Sequence, residues 1–325
     1  MNNLDNGGEA FASKSGDHIP HQPVLYQEVL NALAPQSGKT YLDGTLGAGG
    51  HAEGILKASA PEGKLLGLDL DPKALAIARQ RLFSYNDRVV FRQASYLAAK
   101  EVLQGLGWHH LDGILLDLGV SSMQIDQAER GFSFMKDGPV DMRFDQEAGT
   151  NAADLVNELT EEDLAEIIWL FGEERFARRI ARRIVEARPI NSTLILAQVI
   201  KDAVPRHASR IHPATRTFQA LRIATNKELD ALGLALPRLM SCLGEGGKIA
   251  VITFHSLEDR MVKHYFKRES QDCICPPEQP ICTCDHVASL RVLTKKPIRA
   301  TKSEIKSNPR ASSAKLRVAE KITEV

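Results

Sequence analysis

Apolar, strand-like runs recur at positions 40–43, 64–69, 88–91, 113–118 and 248–254, bounded by polar residues or glycines. Between the first four, apolar positions repeat at helical spacing, as in Ala74, Leu75, Ala78 and Leu82 after Pro72, a residue suited to a helix's first turn. Strands alternating with helices predict a mostly parallel, doubly wound sheet of the α/β class. About 130 residues then separate the fourth run from the fifth without another strand pattern, far more than a crossover needs. That spacing predicts an inserted, all-helical subdomain.

Inside the insert, Thr160, Glu161, Glu162 and Asp163 read as a capping signal ahead of Leu164, Ile167, Ile168 and Phe171. A second helix puts Phe176, Ile180 and Ile184 on one stripe and Arg175, Arg178, Arg179, Arg182 and Arg183 on the other faces, until Pro189 forbids continuation. A return helix over 226–243 and the turn Gly244-Glu245-Gly246-Gly247 lead to the last strand. The expected layout is a frayed polar segment over 1–17, a discontinuous sheet domain over 18–125 and 226–293, the insert over 126–225, and a basic tail over 294–325. With few large apolar residues, the tail is expected to order on a polyanion, if at all.

The chain has 325 residues, 43% of them hydrophobic, enough for a sizeable core. The polar start lacks a signal peptide's apolar segment and no run of 18 apolar residues follows, so a cytosolic protein without a membrane partner is expected. Formal charge is zero, yet unevenly spread. Positions 175–227 hold 12 Lys and Arg against two acids, and 286–325 hold 10 against three. Two basic regions on an otherwise acidic chain predict a face that meets a polyanion. Cys242 stands alone; Cys273, Cys275, Cys282 and Cys284 form two Cys-x-Cys pairs six residues apart. Structural zinc sites favour two to four residues between paired ligands, so the favoured reading is reduced thiols in a Pro-rich loop, with a metal knuckle the alternative and no metal assigned.

The sharpest signal is Asp43-Gly44-Thr45-Leu46-Gly47-Ala48-Gly49-Gly50-His51, with Asp69 and Asp71 closing the next apolar run. Glycines at a strand's carboxyl end let backbone N–H groups approach a ligand, and an acid about 20 residues on suits ribose hydroxyls. A nucleoside-cofactor site follows. Asp117 falls at the carboxyl edge of the fourth strand and should face the same crevice as Gly49. The loop from Glu129 to Phe144 mixes aromatics, glycine and charge, which suits stacking on a base and reading its edge.

These segments, with His212-Pro213-Ala214-Thr215-Arg216-Thr217-Phe218-Gln219 and Phe254-His255-Ser256-Leu257-Glu258-Asp259-Arg260, together resemble the bacterial 16S rRNA cytosine-N(4) methyltransferase family, in order and over nearly the whole chain. The resemblance implies a Rossmann-like class I methyltransferase sheet, S-adenosylmethionine as cofactor, and a decoding-centre cytidine of the small ribosomal subunit as substrate. It implies that Gly49, Gly50 and His51 meet the cofactor's methionine end, Asp69 its ribose and Tyr96 its adenine, with Asp117 and Gln124 completing the pocket. Tyr96 and Gln124 rest on the resemblance alone.

Methyl transfer from a sulfonium is an in-line displacement, so the protein mainly aligns donor and acceptor. The cytosine amine is a weak nucleophile, and a group accepting its proton helps. Asp117 is the first candidate, Asp141 the second and His255 the third, while Phe132 or Phe134 would supply a stacking ring. Arg178, Arg179, Arg182, Arg183, Arg216 and Arg222 are the expected RNA contacts. Two rival readings stand beside this one: an NAD-dependent dehydrogenase, sharing the glycine turn and ribose acid, and a non-catalytic RNA-binding assembly factor.

Overall fold

The computed structural model describes residues 23–147, 149–205, 211–279 and 281–322; the segment expected to be frayed, 1–17, lies outside them. Helix α1 (Tyr26–Leu33) precedes an alternation of β1 (Thr40–Asp43), α2 (Gly50–Ala58), β2 (Lys64–Asp69), α3 (Pro72–Arg81), β3 (Val89–Gln93), α4 (Ala99–Gly105) and β4 (Leu111–Asp117). Local chemistry explains α3: the Asp71 carboxylate accepts the Lys73 amide at 2.9 Å, and Pro72 follows at the first helical position. Side chains alternate across the sheet. Leu42, Leu66 and Leu116 enter one core while Tyr41, Leu65 and Leu115 enter the other.

The insertion between β4 and β5 opens with α5 (Ser122–Asp126) and continues through α6 (Ala152–Glu158), α7 (Glu161–Gly172), α8 (Ala177–Glu186), α9 (Thr193–Ala203) and α10 (Ala214–Asn226). Thr160 caps α7 through its side chain, as the pattern predicts. These helices enclose a core of their own around Val156, Leu164, Ile168, Ile180, Ile184, Leu196 and Phe218. The expected return helix over 226–243 is α11 (Glu228–Cys242), set off from α10 by Lys227, which turns left-handed at φ 49°. No glycine or proline marks that break.

Strand β5 (Leu243–Thr253) absorbs the glycine turn as a bulge: its pairing steps from Leu111↔Leu243 to Gly113↔Lys248, two residues along β4 against five along β5. Helix α12 (Ser256–Glu269), β6 (Leu290–Val292), β7 (Ile298–Arg299), α13 (Lys302–Ser307) and β8 (Lys315–Lys321) complete the chain. The sheet order is β3-β2-β1-β4-β5-β8-β6, with β7 beside β8. Strands β1 to β5 run parallel, and β8 is reversed. No helix among the described residues is long and apolar enough to cross a membrane.

The tail is the principal correction. Far from awaiting a polyanion, its last strand pairs with β5 from Lys248↔Glu320 to Thr253↔Lys315, and Leu316, Val318 and Ala319 are at most 1% exposed. Burying a Leu or Val side chain contributes about 1.5–3 kcal/mol, which a short alternating run inside a basic stretch does not advertise. Two of its charges are neutralised internally: Lys315 and Arg317 both reach Asp259, at 2.9 and 2.6 Å.

Candidate active site

Strand order reverses between β1 and β4, so a crevice opens at their carboxyl ends, where open α/β sheets bind ligands. The loop leaving β1 is shaped for close approach. Gly47 and Gly49 take φ of 52° and 78°, conformations that a side chain would strain, and Gly49 caps α2. A Cβ on Gly44 would stand 2.6 Å from Leu116 and 3.0 Å from Tyr96, which packs against this turn. Asp69 ties the loop to β2, its two oxygens accepting the amides of Gly47 and Asp71 at 2.8 Å each. Burial nevertheless pushes its carboxyl above the usual range.

His51 and Asp117 face each other across this turn, with Nε2 3.8 Å from Oδ2, just beyond hydrogen-bonding distance. Thr45 positions Asp117 by accepting its amide at 2.6 Å while donating its own amide to Asp43 at 3.2 Å. Burial pushes the Asp117 carboxyl up to about 8, with the charges of Asp43 and Glu258 adding to it. Burial likewise puts Asp43 at about 7 and holds His51 down at about 4, a neutral imidazole at physiological pH. His51 Nε2 and Asp117 Oδ1 are buried without a hydrogen-bond partner. Buried orphans of this kind cost free energy unless a ligand satisfies them.

Asp71 organises the neighbouring wall. Besides capping α3, it accepts Arg130 Nη1 at 2.5 Å and Gln124 Nε2 at 3.2 Å. Gln124 also closes a capping box with Ser121, so it braces the wall of the crevice. Arg130 is only 1% exposed and donates from Nη2 to the carbonyls of Arg143 and Phe144, both at 3.0 Å. It therefore fastens the loop after α5 to the cofactor side of the sheet. Sequence reasoning passed over Arg130; its place in the Glu129-Arg130-Gly131-Phe132 segment was the available signal.

A second ionic cluster lies behind Asp117. Arg222 holds Glu228 in a two-pronged pair at 2.7 and 2.9 Å, and His255 Nε2 stands 3.0 Å from Glu258. Burial works against the Glu258 charge, but His255, Arg222 and the Phe254 amide outweigh it and keep the carboxyl below its ordinary range. Arg222, expected among the RNA contacts, is thus ion-paired with a side chain only 13% exposed. His255 caps α12, its Nδ1 accepting the Glu258 amide at 3.4 Å, while Nε2 faces the Glu258 carboxylate without a hydrogen bond. Asp141 is occupied, both oxygens accepting from Arg143 at 2.8 to 3.0 Å.

The proposed stacking rings are also engaged. Phe132 stacks on Phe144 at 5.7 Å, and Phe134 on His212 at 4.6 Å. Arg178, Arg179, Arg182 and Arg183 are exposed along α8, and Arg216 is exposed on α10. The insert meets α12 through Glu173, which accepts from Ser256 and from Arg260 at 2.8 Å.

The profile described as the MraW methylase family matches residues 18–322. The chain is 54% identical to a ribosomal RNA small subunit methyltransferase H of Geobacter sp. (strain M21), over 93% of this chain and 98% of that protein. It is 53% identical to the protein so described from Syntrophotalea carbinolica, over 91% of this chain and 96% of that one. A putative methyltransferase from Streptococcus mutans, solved in complex with SAH, aligns with a TM-score of 0.44 and 10% identity over 93% of this chain and 99% of that one.

A parallel sheet with one reversed strand and a glycine turn at its switch point defines the class, a Rossmann-like S-adenosylmethionine-dependent methyltransferase. Close relatives along almost the entire length then make the particular assignment. The chain belongs to the MraW methylase family, whose members methylate rRNA, and the dehydrogenase reading is set aside.

Proposed function

We propose that the chain methylates the exocyclic N(4) amine of a decoding-centre cytidine in 16S rRNA of the small ribosomal subunit, in the cytoplasm, with the carboxyl of Asp117 receiving the amine's proton. The observation that carries this reading is the pair of unpartnered polar atoms, His51 Nε2 and Asp117 Oδ1, at the switch point. The donor set fits the cofactor. Gly49, Gly50 and His51 would hold its methionine end, Tyr96 would cover its adenine, and Gln124 would brace the wall. Each oxygen of Asp69 keeps a second lone pair for a ribose hydroxyl. When bound, S-adenosylmethionine supplies an electrophilic methyl group.

Of the three candidate acceptors, Asp117 has an unpartnered oxygen at the switch point, whereas Asp141 is held by Arg143 and the unpartnered His255 Nε2 stands 3.0 Å from the Glu258 carboxylate. A carboxyl poised near neutrality is matched to accepting a proton from a weak acid such as the methylated amine. The insert would present the RNA, with the exposed arginines of α8 and Arg216 contacting phosphates. The test incubates the purified chain and methyl-labelled S-adenosylmethionine with immature and with assembled small subunits. Label on a single cytidine of 16S rRNA is expected. If neither particle is labelled, the non-catalytic assembly-factor reading takes its place.

A further inference from the structure

The segment 271–288, between α12 and β6, holds no helix or strand and no buried side chain among its described residues. Loops of that length without secondary structure are uncommon inside a compact domain unless something fastens them. Here the fastening is chemical. The Sγ atoms of Cys273, Cys275, Cys282 and Cys284 all lie within 4.8 Å of one another, with Cys282 to Cys284 at 3.6 Å and Cys284 to Cys273 at 3.9 Å.

Those separations select among the possible states. A tetrahedron with metal–sulfur bonds of about 2.3 Å has sulfur–sulfur edges of about 3.8 Å. A disulfide would bring two sulfurs to bonding distance, about 2.05 Å. A cubane iron–sulfur cluster holds each thiolate on a separate iron and spreads the four apart. The backbone amides of Ile274, Cys275 and Thr283 point at Cys284, Cys273 and Cys275 at 3.4, 3.4 and 3.5 Å, an arrangement that favours thiolate charge. His286 is not needed as a ligand, since its Nε2 is 3.2 Å from the Arg268 carbonyl.

The geometry points to a mononuclear zinc site: Cys273, Cys275, Cys282 and Cys284 bind one Zn²⁺ as a closed, structural tetrathiolate centre. Each Cys-x-Cys pair supplies two neighbouring vertices, which is how the short spacing is accommodated. The centre pins the end of α12 to the start of β6, where Ser289 already donates to the Glu269 carbonyl at 2.9 Å. Because α12 begins at the His255 and Glu258 cluster, the metal steadies the far end of a helix whose near end lines the crevice.

Elemental analysis of the full chain, purified without chelator, tests this directly. One equivalent of zinc per chain and no iron is expected, lost in Cys273→Ser and Cys284→Ser and retained in Cys242→Ser. Should the serine variants fail to fold, cobalt exchange into the wild type decides independently, since a tetrahedral tetrathiolate gives intense visible bands and sulfur-to-cobalt charge transfer. Metal-free protein with four freely alkylated loop thiols, disulfides found by mass spectrometry, or iron–sulfur absorption would each overturn the assignment.

Discussion

Asp117 concentrates the chemistry at the residue scale, because burial and two neighbouring carboxylates raise its carboxyl to about 8. A proton acceptor must be ionised to act, so methylation should be slow below neutrality and climb as pH rises through that value. A pH profile of kcat/KM that stays flat across this range would remove Asp117 from the role. Asp117→Asn keeps the shape but loses the basic oxygen, and should lower kcat by about 10² to 10⁴. Calorimetry with S-adenosylhomocysteine should show binding preserved. Loss of binding with no separate loss in kcat would instead make Asp117 a cofactor contact.

Between elements, the Arg130 to Asp71 pair joins the insert's first loop to the start of α3, with both side chains at most 5% exposed. Removing one member of a buried pair strands the other charge, at a cost of about 3–5 kcal/mol. Arg130→Met should therefore lower the thermal midpoint markedly, and Asp71→Asn on top of it should recover part of the loss. An unchanged midpoint in Arg130→Met would show that the loop is held by other contacts. Strand β8 makes a comparable prediction: a chain ending at residue 314 should be insoluble or unfolded, because Leu316 and Val318 leave the core and β5 gains an open edge. A soluble, folded truncation with normal cofactor binding would restore the tail to the status of an appendage. Strands β1 and β2 were legible residue for residue, being compact apolar runs bounded by turns. The continuation of β5 back through the glycine turn was not, since it depends on register against β4. Gly49, Asp69 and Asp117 were legible for a related reason, since strand-end position is a topological property; Arg130 was not, because its importance comes from a partner 59 residues away.

Across the whole molecule, net charge is zero and location decides what the charges do. Sequence counts assign basic character to both the insert and the tail, but Asp259 neutralises Lys315 and Arg317, and Glu320 pairs with Arg291 at 2.9 Å. The insert's α8 differs. Arg182 and Arg183 make exposed pairs with Glu161 and Glu186, which contribute little and yield readily to a phosphate. RNA affinity should therefore fall steeply with salt, and the slope should come chiefly from α8. Replacing Arg178, Arg179, Arg182 and Arg183 with Gln should flatten the dependence of log K on log salt by about 0.7 to 0.9 for each phosphate no longer neutralised. Replacing Lys295 and Lys296, exposed beside β7, should change it less. Filter binding to small-subunit RNA over a salt series distinguishes the two. A larger effect from the lysine pair would move the RNA-facing surface from the insert to the sheet's far edge, and would leave the insert as a brace for α12 through Glu173, Ser256 and Arg260.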